Sequence, residues 1–174
     1  STHTVTELNG SVSLDNSCAI DFHVDPLGQR KLGLTWVDDT SGVPSVRYAE
    51  SFDDGVSWLP QDTYDTLWPA NPSVDLQILP DGTAAVAFWG GAGGLRYSEI
   101  ANTLGGWAAV DTEVTADPIL GPLSLALTEA GDRRLAYATN SLLDSMHVAW
   151  PSAADSLVWP NDANHRLDFP VAVD

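Results

Sequence analysis

Carboxylates dominate the groups that could do chemistry in this chain: 24 Asp and Glu stand against 7 Lys and Arg in 174 residues. The stretch SFDDGVSW, residues 51–58, sets Asp53 and Asp54 side by side ahead of Gly55 and Trp58. Such a stretch suits a metal loop, a catalytic carboxylate pair, or a hairpin turn. Tyr48 with Glu50 and Tyr97 with Glu99 lie two residues apart in strand-like sequence, so each pair shares a face. A phenol beside a carboxylate is one way to build a nucleophile. Asp21, Asp75 and Asp168 recur in similar apolar settings, with His23 on the face of Asp21. Gathered together, they could bind a cation such as calcium or a polyhydroxylated ligand. Trp68 and Trp150 offer ring faces on which a sugar could stack.

Spacing narrows these chemistries. The acidic stretch lacks the fixed ligand positions of a calcium loop. His3, His23, His147 and His165 show no metal-ligand spacing. No nucleophile elbow or phosphate-binding glycine loop occurs, and WGGAGG, residues 89–94, is followed by no helix. A glycosidase needs two carboxylates about 5–9.5 Å apart, and a chain this acidic could supply such a pair almost anywhere. No residue is assigned a catalytic role on these grounds.

The elements that must position these groups follow from an internal repeat. SVRYAESFDDGVSW, GLRYSEIANTLGGW and SMHVAWPSAADSLVW end at Trp58, Trp107 and Trp159, spaced 49 and 52 residues apart. Arg47, Tyr48 and Glu50 match Arg96, Tyr97 and Glu99, whereas the third copy has His147, Val148 and Trp150 in that region. Upstream, NSCAIDFHV, NPSVDLQIL and GPLSLAL each precede a glycine-bearing turn and a second apolar strand. Each copy predicts four short strands bounded by Gly, Pro, Asp and Asn. No helical period emerges. The expected fold is all-β, with antiparallel four-stranded units over residues 16–62, 71–111 and 121–162. Terminal strands are expected over residues 2–8 and 166–173, the whole of 1–174 forming a single domain.

Residues 51–58 fit S-x-D-x-G-x-x-W through Ser51, Asp53, Gly55 and Trp58. With the repeat around it, the chain resembles the sialidase-like, or BNR-repeat, β-propellers, in which this motif is the Asp box. The resemblance spans nearly the whole chain as repeats, with one complete box; IANTLGGW lacks the aspartate and PSAADSLVW the glycine. It implies four-stranded propeller blades and an architectural box lying away from the ligand face. Sialidases of this fold carry three arginines on the substrate carboxylate, a Tyr–Glu pair and an aspartate acid/base. Here the early Arg-Ile-Pro signature is missing, and Arg47 and Arg96 share one repeat position. The resemblance therefore implies the fold without sialidase catalysis.

Three blades fall short of the four to eight that close a propeller. Two copies would give six, so a homodimer is the expected assembly; a fragment of a longer protein that self-assembles without ligand is the other reading. The net charge of -17 disfavours nucleic acid and anionic membrane as partners and fits a secreted, saline setting. Cys18 is the only cysteine, so an intrachain disulfide is excluded. The opening STHTVTELNG is polar, as a mature start after leader cleavage would be. The function expected is a non-catalytic binding or scaffolding module without cofactor, for a glycan or another extracellular partner. A glycoside hydrolase with its site at the centre of a dimer is the alternative.

Overall fold

The computed structural model describes residues 18–38, 45–59, 62–65, 73–89, 94–100, 112–116, 119, 123–139, 145–152, 159 and 161–165. All regular structure among them is β. The first sheet contains β1 (Cys18–Val24), β2 (Arg30–Asp38), β3 (Ser45–Ser51) and β4 (Asp62–Asp65). The second contains β5 (Val74–Ile78), β6 (Ala84–Trp89), β7 (Leu95–Ile100) and β8 (Thr112–Thr115). The third contains β9 (Ser124–Leu127), β10 (Arg133–Thr139), β11 (Ser145–Trp150) and β12 (Asn161–His165). In each sheet the strands follow chain order and pair antiparallel with their neighbours. β12 runs three residues past the expected third unit and closes at His165, directly before the expected terminal strand.

One turn, used three times, sets the repeat. Gly28, Gly82 and Gly131 have φ of 81°, 85° and 82°. Each donates its N–H to the carbonyl three residues back, in Asp25, Leu79 and Thr128, at 2.8–2.9 Å. Glycine takes this left-handed backbone without steric cost, which is what a tight strand connection of this kind requires. In the first copy Asp25 reinforces the turn, its Oδ1 accepting the N–H groups of Leu27 and Gln29 at 2.8 Å. Asp25 thus belongs to the turn rather than to the face that carries Asp21 and His23.

Sequence pattern and burial agree sheet by sheet. β1 alternates exposed and half-buried residues along CAIDFHV. β6, AAVAFW, is apolar and buried at every position. A strand covered on both faces needs no alternation, and the second sheet is covered on both. Towards the first sheet, Val74, Leu76, Val86, Phe88 and Ile100 pack with Val37, Val46 and Tyr48. Towards the third, Ala85, Ala87, Leu95 and Tyr97 pack with Leu123, Leu125, Leu135 and Tyr137. Trp159 joins this second core, its ring 4.9 Å from that of Tyr97 and tilted by 56°.

Candidate functional site

The acidic turn at residues 51–58 is held by its own side chains. Ser51 Oγ accepts the N–H of Gly55 at 2.9 Å and donates to Asp53 Oδ1 at 2.8 Å. Asp53 accepts the N–H of Ser57 at 2.8 Å and its hydroxyl at 2.5 Å. These bonds, led by the Ser57 hydroxyl, lower the Asp53 pKa to about 2. Asp54 and Gly55 both adopt positive φ. Trp58 is half-buried over Gly55, with Cζ2 3.7 Å from where a Cβ on that glycine would stand. Asp53 therefore closes the hairpin, while Asp54 faces outward to an exposed Arg30 at 2.9 Å.

The two Tyr–Glu pairs form real hydrogen bonds, and both sit where sheets meet. Tyr48 donates to Glu50 at 3.2 Å and Tyr97 to Glu99 at 2.7 Å. Tyr48 and Glu50 are each 0% exposed. Each carboxylate also meets a cation, from a different source in each case. Lys31, in the same sheet, lies 2.6 Å from Glu50 and donates to the Gly82 carbonyl of the second sheet at 2.8 Å. Arg133, from the third sheet, reaches back to Glu99 at 2.7 Å and to the Tyr97 oxygen at 2.8 Å. Burial, followed by the neighbouring carboxylate, pushes both phenols well above their ordinary pKa. A phenol held so firmly protonated and out of solvent is a poor nucleophile.

The aspartates of β1 and β5 bridge successive sheets. Asp21 Oδ2 accepts the N–H of Ile78 at 2.6 Å. Asp75 Oδ2 accepts that of Leu125 at 2.6 Å, and its Oδ1 that of Leu76 at 2.8 Å. Burial raises the Asp75 pKa, the two N–H groups oppose this, and the Asp21 charge adds to the rise. Trp150 is half-buried on the third sheet, with the Arg134 guanidinium 5.7 Å from its ring centroid. Asp168 and Trp68 lie outside the described residues.

His23 lines a cavity. It occupies about 460 Å³ where the β1–β2, β3–β4 and β5–β6 turns converge. Leu27, Pro80 and Phe52 supply apolar wall, and Gln29, Lys31 and Asp81 supply polar groups. The Nε2 of His23 is buried and lacks a hydrogen-bond partner in the structure. Phe52, 54% exposed, presents its ring at this site. Sequence reading missed Phe52, which sits inside the acidic motif as an unconstrained position. Its position one residue from Ser51 in a turn was the available signal.

Among the described residues, no group of three or more His, Cys, Asp or Glu is placed to hold a metal ion. No helix there is long and apolar enough to cross a membrane. No family model and no curated protein matches the chain.

Proposed function

We propose that this chain is a non-catalytic Asp-box β-propeller module that binds a glycan, working outside the cell in a saline setting. The observation that carries the reading is the burial of the Tyr48–Glu50 pair between sheets, each residue 0% exposed. In the second pair the Tyr97 phenol is equally buried, at 0% exposed, so neither hydroxyl is open to a substrate. The cavity at the turn end supports the binding half of the reading, and it sets the ligand beside the 51–58 hairpin rather than on the face away from it that the resemblance implies. An aromatic ring, an unpartnered imidazole nitrogen and nearby amide and carboxylate groups suit a ligand with apolar sugar faces and many hydroxyls. The acidic surface favours a neutral or cationic glycan over a sialylated one.

Calorimetric titration with neutral and cationic oligosaccharides tests this. Saturable binding without hydrolysis is expected, and Phe52→Ala should weaken it by up to about tenfold, the value of one aromatic contact. Release of reducing sugar, or binding indifferent to both Phe52→Ala and His23→Ala, would overturn it.

A further inference from the structure

Counted back from the turn glycine, Ile20, Phe22 and Val24 occupy the positions of Val74, Leu76 and Ile78, and of Leu123, Leu125 and Leu127. In the second sheet that row is 5%, 1% and 5% exposed, because it seats against the first sheet. In the third sheet Leu123 and Leu125 seat against the second in the same way. In the first sheet the row is 61%, 50% and 48% exposed. The residues with which each later sheet grips its predecessor are thus present and uncovered on the first.

The outward face of the third sheet is the complementary surface. The opposite face of β9 carries Ser124 and Ala126, both exposed, and the neighbouring strands add Ala136, Val148 and Met146. Ser124, Ala126 and Ala136 leave room on β9 and β10 for the bulky Ile20–Phe22–Val24 row, and Val148 and Met146 extend the apolar surface on β11. The cation recurs, whereas its carboxylate partner does not. Arg30 stands two residues after its turn glycine, as Arg133 does, and Arg133 reaches back to Glu99 of the preceding sheet. Glu99 is opposite Ala85 on the neighbouring strand, and in the third sheet the corresponding place beside Arg134 is held by Trp150. Arg134 already lies over that ring at 5.7 Å, so an incoming Arg30 keeps Asp54 of its own chain as its carboxylate partner.

We propose that the first-sheet face of one copy seats on the outward third-sheet face of a second copy, and the reverse, so that two chains close a ring through two identical head-to-tail seams. The repeat and its burial carry this independently of glycan binding. Closure by a two-fold axis leaves no unmatched face, whereas an interface of this kind that failed to close would grow into a filament.

Light scattering behind a sizing column, with the whole chain, provides the test. The expected mass is twice 18.5 kDa, with added salt favouring the dimer by screening two strongly negative chains. Phe22→Asp and Ala136→Asp should each halve the mass while leaving the near-ultraviolet circular dichroism unchanged. Cys18, exposed on the same face as Phe22, provides a readout that needs no variant: its labelling by a thiol reagent should slow as protein concentration rises. A monomeric wild type, labelling independent of concentration, or a mass that climbs past the dimer would overturn the proposal. So would a dimer lost in Phe22→Asp but kept in Ala136→Asp, since the copies would then meet through β1 alone.

Discussion

The carboxylate of Asp75 accepts the backbone N–H of Leu125, a residue 50 positions later, at 2.6 Å. Asp21 does the same for Ile78, 57 positions later. Adjacent sheets are thus tied at their first strands by an aspartate that takes up a backbone donor of the next sheet. Leu125 is 2% exposed, so its N–H has little access to water as a substitute. Asp75→Ala should cost roughly 1–3 kcal/mol in urea melts, the penalty of orphaning a buried donor. Because the folded-state pKa of Asp75 is raised from 3.8, protonation favours the folded chain. This contribution is complete below 3.8 and is lost as pH rises through the folded value. The gap between wild type and Asp75→Ala should therefore narrow as the melts move from about pH 4 towards about pH 7.

Asp53 has the opposite sign. Its folded pKa is lowered from 3.8 to about 2 by Ser57 and Ser51. The support it gives the turn is present above 3.8 and disappears as pH falls towards about 2. Carboxyl-carbon NMR should place its midpoint near 2 in the wild type. Ser57→Ala removes the leading cause of the shift, so the midpoint should climb towards 3.8. A midpoint that stays put would mean that Ser51 and the backbone suffice.

Much of this architecture was legible in sequence because β alternation and turn glycines are local signals. The three glycine turns, the strand order and the seat of residues 51–58 all follow from neighbours in the chain. What lies across a sheet interface does not. Alternation assigns Asp21 and Asp75 to a face, but the partner N–H groups belong to strands more than 50 residues away or at that distance. The matched Tyr48–Glu50 and Tyr97–Glu99 pairs predict a shared role, yet their cations come from β2 in one case and β10 in the other. The cavity was hidden for the same reason. Three turns build it, and no single stretch contains both Phe52 and Asp81.

Gly33 tests how closely the first two sheets approach. A Cβ there would stand 3.2 Å from both Ile78 Cδ1 and Leu76 Cδ2, and 3.3 Å from Tyr48 Cε2. All three are side-chain atoms that can shift by a few tenths of an ångström, though Leu76 and Tyr48 belong to one packed core with little slack. Gly33→Ala should destabilise the chain by about 1–3 kcal/mol through overpacking, read from thermal or urea melts. A neutral result would show the interface to be looser than these distances imply.

The Lys31–Glu50 pair yields the sharpest energetic expectation. The lysine side chain is 8% exposed, the glutamate 0%, and the charges are 2.6 Å apart. Lys31→Met keeps the length of the side chain but takes the cation away from Glu50 in a dry interface, where Tyr48 still donates to it. Removing one partner of a buried pair typically costs about 3–5 kcal/mol, far more than the pair itself contributes. Adding Glu50→Gln to Lys31→Met removes the stranded charge and keeps an acceptor for the Tyr48 hydroxyl, so most of the loss should return. Urea melts of the wild type, both single variants and the double variant form a complete cycle. A double variant as unstable as Lys31→Met would place the energy in the Lys31 bond to the Gly82 carbonyl rather than in charge compensation.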